Sequence, residues 1–257
     1  MLFIHPSSGS IGGFRRLLPH LAAGYPVAAF EASGSGPADG CTVTELAEAY
    51  LAEAAEAAMA DGATLVGWSF GGAVAVAMAG LAERAGRPVR GVVLLDSATP
   101  DVLKARPRST VEEYAGLFGV APELLEGVTE GDPADRVLEA VARALSPRGG
   151  IPYTADDLRP YAELHTRHVR TLHCGPPLRP CTAPVTLVRA AAEQGWGTAP
   201  GDLGWSALLG RPVRTRWTPG THQSMTEPDH AAGLAALLHE LFTGQRGALP
   251  GGPPGGP

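Results

Sequence analysis

The run Ala63-Thr64-Leu65-Val66-Gly67-Trp68-Ser69-Phe70-Gly71-Gly72-Ala73 decides how this chain is to be read. Ala63 to Gly67 is a short apolar run of the kind that forms a buried strand. The small residues from Gly72 to Arg84 suit a helix packed close to a sheet. Between them, Gly67-x-Ser69-x-Gly71 is the strand–turn–helix pattern of a nucleophile elbow. A serine there sits in a strained turn, the flanking glycines relieve clashes, and Gly72 and Ala73 let the helix approach the strand. Its hydroxyl then stands above the sheet edge, which makes Ser69 the candidate nucleophile. A glycine-rich turn in some other α/β protein is the competing reading, and the flanking elements weigh against it.

Outward from this unit, apolar runs alternate with helical patterns, as a mostly parallel sheet with crossover helices requires. Leu2 to Ile4, Tyr25 to Phe30 and Val89 to Leu95 read as further buried strands. Thr42 followed by Glu45 is a capping-box signature opening a helix that is expected to reach Met59. From Thr99 to about Ala183 the strand signal gives way to helical pieces, including Pro133 to Leu145 and Ala155 to Leu172, so residues 99–183 read as a helical insertion. Strands return at Pro184 to Arg189 and Val213 to Trp217, and a final helix begins near Pro228. Residues 1–243 therefore read as one domain, and the Gly/Pro-rich stretch 244–257 as a tail unable to bury enough surface to order itself. No internal repeat is evident.

Composition narrows the class. The chain has 257 residues, 44% of them hydrophobic and 18% charged, which suits one large α/β domain. A net charge of −6, with Lys104 the single lysine, argues against nucleic acid or an anionic membrane as the main partner. Cys41, Cys174 and Cys181 are odd in number and form no CxxC pair, so neither a disulfide framework nor a zinc ribbon is expected. The start of the chain lacks the basic and apolar regions of a signal peptide, and no run approaches a membrane span, so a cytoplasmic setting is expected.

A serine alcohol needs a base, and the base needs an acid to hold its tautomer. His222, in Gly220-Thr221-His222-Gln223 between the last strand and the last helix, is the candidate base. Carboxylates stand at two suitable places. Asp96 ends the buried run Val92-Val93-Leu94-Leu95, where catalytic groups collect in open α/β sheets. Glu193 and Asp202 follow the next strand, and for Asp202 a helix-capping role is an adequate explanation. Asp96 has the cleaner strand-end position. Oxyanion donors are expected from the amides of Phe70, directly after the nucleophile, and Ser7, in the loop His5-Pro6-Ser7-Ser8-Gly9 after the first strand. His5 reads as shaping that loop. His165, His168 and His173 invite a metal reading, but their spacing and the lack of a completing carboxylate leave a solvated helix face as the expectation, with no metal or resident cofactor. Lys104, Arg106 and Arg108 form a short basic run that is read as solvated, with docking of an acidic surface as the functional alternative.

Together, Phe3-Ile4-His5-Pro6, Gly67-Trp68-Ser69-Phe70-Gly71-Gly72, Leu94-Leu95-Asp96-Ser97 and Gly220-Thr221-His222 resemble the thioesterase family that releases acyl and peptidyl chains from carrier proteins in nonribosomal peptide and polyketide synthases. The resemblance implies an α/β-hydrolase fold, the order Ser69, Asp96, His222, and the insertion as a mobile lid over an acyl pocket. It implies a phosphopantetheine-bearing carrier protein as partner and release by hydrolysis or macrocyclisation. The Trp68 and Leu94-Leu95-Asp96-Ser97 features look more like a chain-terminating domain than an editing one. The chain departs from the family's usual His-Pro-Ala-Gly-Gly in having Ser7 and Ser8. A stand-alone esterase and a non-catalytic binding fold are the alternative readings.

Overall fold

In the computed structural model, described for residues 1–21, 26–32, 37–54, 62–105, 108–146, 151–192, 196 and 199–246, six parallel strands form one sheet. They are β1 (Leu2–Ile4), β2 (Ala28–Phe30), β3 (Ala63–Trp68), β4 (Val89–Leu95), β5 (Val185–Ala190) and β6 (Arg214–Thr218), in the spatial order β2-β1-β3-β4-β5-β6. The order reverses at β1, with β2 on one side and β3 onward on the other. Loops leaving the carboxyl ends of β1 and β3 therefore meet at a crevice where open α/β sheets bind ligands.

The interior strands read as unbroken apolar runs because both their faces are covered. All six residues of β3 and all six of β5 are buried, whereas the edge strand β2 is largely exposed. The expectation of a buried second strand over Tyr25 to Phe30 is thus corrected. Its described part pairs only with β1, and Ala28 and Ala29 face solvent. Two apolar layers cover the sheet. One contains Leu65, Met78, Leu94, Leu187 and Trp205, and the other Phe3, Val66, Val93, Val188, Leu234 and Leu238.

The helices are α1 (Gly12–Leu17), α2 (Val43–Glu53), α3 (Phe70–Arg84), α4 (Pro100–Lys104), α5 (Thr110–Phe118), α6 (Ala134–Leu145), α7 (Ala155–His173), α8 (Trp205–Leu209) and α9 (Pro228–Arg246). Helix α2 opens with the expected reciprocal cap between Thr42 and Glu45 but ends at Glu53. The expected extension toward Met59 falls mostly outside the described residues. Helix α3 packs so close to β3 that Val74, Ala75, Val76, Met78 and Ala79 have no solvent exposure. Between β4 and β5, the described residues hold α4 to α7 and no strand. Helices α5 to α7 enclose an apolar cluster of their own, with Tyr114, Val137, Val141 and Leu158 inside, so the insertion has a small separate core. Helix α9 continues to Arg246, and the tail from 247 lies outside the described residues. No helix of the described residues is long and apolar enough to cross a membrane.

Candidate active site

The elbow is built as its sequence requires. Ser69 has φ 54° and ψ −119°, a conformation an L-residue adopts only under constraint. Its N–H donates to Leu95 O at 2.9 Å, and its carbonyl accepts from Gly72 N–H at 3.0 Å, so the turn is pinned to the neighbouring strand end. A Cβ at Gly67 would fall into the backbone of Gly71, and one at Gly71 into the carbonyls of Ile4 and His5. Glycine at these two positions is a steric requirement.

Asp96 follows directly on β4 and is also held at positive φ, 41°. It is 1% exposed. Its N–H donates to Val188 O at 2.8 Å, and its Oδ1 accepts from Ala190 N–H at 3.2 Å. The second oxygen, Oδ2, accepts from His222 Nδ1 at 2.7 Å, which assigns the ring's proton to Nδ1 and the base role to Nε2. Next to it, Ser97 O accepts from the indole N–H of the fully buried Trp205 at 2.7 Å, and Ser97 Oγ packs where a Cβ on Gly72 would sit. Trp205 is thus a supporting residue of the site that sequence reading did not single out. No local motif marks it.

The rival acid sites differ. Asp202 accepts from Gly204 N–H at 3.1 Å and from Ser206 N–H at 2.8 Å at the start of α8. Burial works against its ionisation, but these donors outweigh it and hold the carboxyl below the ordinary range. It performs the structural duty expected of it. Glu193 lies outside the described residues.

Ser69, Phe70, Ser7 and His222 line one cavity of about 180 Å³, with Trp68 on its wall. Trp68 and His222 lie ring to ring, their centroids 6.0 Å apart. Phe70 is the first residue of α3, and its N–H belongs to the set that a helix leaves without an intrahelical partner. Ser7 follows His5-Pro6 in a turn closed by Gly9 N–H to Pro6 O at 2.9 Å. The buried His5 donates from Nδ1 to Pro6 O at 2.7 Å, accepts at Nε2 from the Tyr50 hydroxyl at 2.5 Å, and stacks on Phe70. Burial lowers its pKa, in keeping with this neutral arrangement. His5 therefore sits in the loop's framework.

One expectation about the insertion is overturned. His165 and His168 do not lie on a solvated face; they are 9% and 0% exposed and press on the Ser7 loop. Leu158, Ala162, His165, His168 and Leu172 follow one another at spacings of three and four along α7, which is one helical stripe. That periodicity was the signal for their burial. Burial pushes both rings down to about 4, assisted by their mutual proximity and Arg108 at His165 and by His5 at His168. His173 is exposed and borders the cavity. Among the described residues no group of three or more His, Cys, Asp or Glu side chains is arranged to hold a metal. The described members of the basic run, Lys104 and Arg108, are exposed. Lys104 ends α4 at the surface, Arg106 lies outside the described residues, and Arg108 lines the cavity with its guanidinium 5.9 Å from the Trp196 ring centroid.

Residues 1–242 match the family model of the thioesterase domain. The chain belongs to the thioesterase domain family. This thioesterase domain is 28% identical over 267 residues to orsellinic acid synthase ArmB of Armillaria ostoyae, covering 95% of this chain and 10% of that protein. It thus spans about a tenth of the curated relatives it matches. Among solved structures it superposes on the four-domain nonribosomal peptide synthetase AB3403 with a TM-score of 0.70, at 24% identity over 97% of this chain and 19% of that one. On the NocB thioesterase domain, solved as a covalent complex with a fluorophosphonate nocardicin G analogue, the TM-score is 0.65 at 22% identity, over 94% and 93% of the two chains. These likenesses establish an α/β-hydrolase fold with a parallel sheet flanked by helices. Family members are hydrolases acting on thioester bonds.

Proposed function

We propose that this thioesterase domain takes an acyl or peptidyl chain from the phosphopantetheine arm of a carrier protein onto Ser69 and then releases it to water or to an internal nucleophile of the same chain. The observation that carries the reading is the Asp96–His222 hydrogen bond, with His222 and Ser69 lining one cavity. Membership of the thioesterase family and the likeness to ArmB, AB3403 and NocB support the carrier-linked substrate. The substrate arrives with its own phosphopantetheine, so the chemistry calls on no resident cofactor.

In the first half-reaction, Ser69 Oγ attacks the thioester carbonyl carbon as His222 Nε2 takes its proton, and the Asp96 carboxylate stabilises the imidazolium. The amides of Phe70 and Ser7 receive the developing oxyanion. Collapse expels the pantetheine thiolate, which leaves with the proton held on His222, and an ester to Ser69 remains. In the second half-reaction, His222 deprotonates water, an amine or a hydroxyl, and that oxygen or nitrogen displaces Ser69 Oγ, which recovers the proton. Water yields an acid and an internal nucleophile yields a ring. The helical insertion serves as the lid whose seating governs which acceptor reaches the ester. A chain-terminating role is favoured over editing on the strength of the Trp68 and Leu94-Leu95-Asp96-Ser97 features.

The test is intact-mass spectrometry of wild type and Ser69→Ala incubated with acyl- and peptidyl-loaded carrier proteins, with analysis of the released product. An acyl mass gained by wild type alone, followed by release of an acid or a ring, is the expected result. Turnover of small esters through Ser69 without acylation by any loaded carrier would replace the carrier-linked reading by that of a stand-alone esterase. Failure of folded wild type to form any adduct at Ser69 would leave only a binding fold.

A further inference from the structure

Ser7 is gripped on two atoms by one helix. Its hydroxyl and His165 Nδ1 are hydrogen-bonded at 2.9 Å, and its carbonyl accepts from His168 Nδ1 at 2.8 Å. Both histidines project from α7, more than 150 residues away in the chain. His168 also packs its ring against His5 and Phe70, with centroids 4.9 and 4.7 Å away. It thereby touches both segments that carry the two oxyanion amides. The loop itself is tight: Gly9 takes a positive φ of 78° with Leu164 of α7 and Ala32 pressed against it, and Ala32 N–H donates to Gly9 O at 2.9 Å.

From this geometry we infer that His165 and His168 are positioning residues that seat α7 on the Ser7 loop and aim the Ser7 amide into the oxyanion site, so that the site is complete only while the helical insertion is docked. The Ser7 carbonyl belongs to the same residue whose N–H the proposed mechanism uses, and holding the carbonyl and the side chain leaves the residue little rotational freedom. Neither imidazole has a second hydrogen-bond partner among the described residues, since Nε2 of each is buried and unpaired. Burying two rings with half their polar capacity unused costs stability, and the two bonds to Ser7 are what the structure obtains from them. Burial disfavours the cationic form of both rings, which suits their service as fixed neutral hydrogen-bond partners. Withdrawal of α7 breaks both bonds at once, coupling entry of substrate to loss of the oxyanion donor.

This inference rests on acyl transfer at Ser69, so it is tested with a small activated ester, which needs no carrier protein. His168→Leu removes the donor to Ser7 O, whereas in His168→Asn the amide nitrogen stands where Nδ1 stood. The expected result is a fall of about 100-fold in the rate of Ser69 acylation for H168L with KM within about twofold, the scale of losing one oxyanion donor. H168N recovers most of that loss. Ser7→Ala and His165→Leu each slow acylation, and their double variant is no slower than the worse single one, because both remove the same bond. Acylation of folded H168L at the wild-type rate overturns the inference, as does an equal loss in H168N or full additivity of S7A and H165L. Should H168L not fold by far-UV circular dichroism, the S7A/H165L cycle decides. The carrier-linked reading fails by a different result, namely acylation of wild type by the ester but by no loaded carrier.

Discussion

Asp96 Oδ2 lies 2.7 Å from His222 Nδ1 although 126 residues separate the two in the chain. The pair forms because β4 delivers Asp96 to the sheet's carboxyl edge, where Ala190 N–H at the end of β5 takes its other oxygen. The loop after β6 brings His222 to the same edge. Replacing Asp96 by Asn is expected to leave the fold intact and to lower the rate of Ser69 acylation by about three to four orders of magnitude, since an amide NH₂ facing Nδ1 forces the ring into the wrong tautomer. The acylation burst with an activated ester measures it. Asp202→Asn serves as the control, with acylation unchanged and a stability loss of about 1 kcal/mol, because the amide keeps one acceptor for the two N–H groups of Gly204 and Ser206.

The strain at Ser69 has a measurable sign. Ser69→Ala and Ser69→Gly both abolish acylation, but only glycine is at ease at φ 54°, ψ −119°. S69G is therefore expected to unfold at higher denaturant than S69A, by about 1 kcal/mol or more despite glycine's entropic cost. Equal midpoints in urea would show that the elbow stores no strain.

Gly67→Ala and Gly72→Ala are expected to yield little folded protein. The new methyl would overlap the Gly71 backbone in the first case and the Ser97 side chain in the second, and neither obstacle is the end of a flexible chain. Gly86→Ala meets open space, so its cost is confined to the strain of φ 71°. Soluble yield and thermal melts rank the three.

Acid should weaken the fold through His165 and His168. Both rings titrate near 6.5 when unfolded and are pushed down to about 4 in the fold. Between those values the unfolded chain binds more protons, so stability rises with pH over that interval. The contribution is complete above about pH 6.5 and is lost as pH falls toward 4, at up to about 1.4 kcal/mol per pH unit for each ring. The groups facing these rings are Ser7, His5 and Arg108, with Tyr50 behind His5 and Glu113 across the cavity. Burial lowers His5 and raises Glu113. The first adds to the same slope and the second opposes it. Denaturant titrations at pH 7, 6 and 5 should show the decline in wild type and a shallower one in H168N. Identical slopes would place the acid sensitivity elsewhere.

Trp205→Phe removes the indole donor from Ser97 O and leaves a buried carbonyl unpaired beside Asp96. A loss of about 1 to 3 kcal/mol is expected, read as a shift of the urea midpoint at constant slope.

Much of this was legible because it is local. The elbow announces itself in Gly67-x-Ser69-x-Gly71, where steric exclusion of a Cβ acts over four residues. The caps at Thr42 and Glu45 are equally short-ranged. Placement of His222 needed only the order of strand, loop and helix. Less legible is the choice among Asp96, Glu193 and Asp202, because each follows a strand and Asp96 is favoured only by its cleaner strand-end position and by the resemblance to thioesterases. The burial of His165 and His168 is encoded in the stripe they share with Leu158, Ala162 and Leu172, not in the spacing of the histidines alone. Trp205 has no local sign at all, and it acquires its place from Ser97, a partner distant in the chain.

By itself, then, the sequence determined the parallel α/β sheet, the strained serine turn and the residue types for acyl transfer, because alternation, glycine sterics and capping depend on neighbours within a few residues. The tertiary structure alone decided that Asp96 meets His222 and that α7 lays two neutral histidines on Ser7. Those outcomes depend on which loops converge at the sheet edge and on which helix face is withdrawn from water. Such convergence comes from packing between segments up to 161 residues apart, and no short-range pattern encodes it.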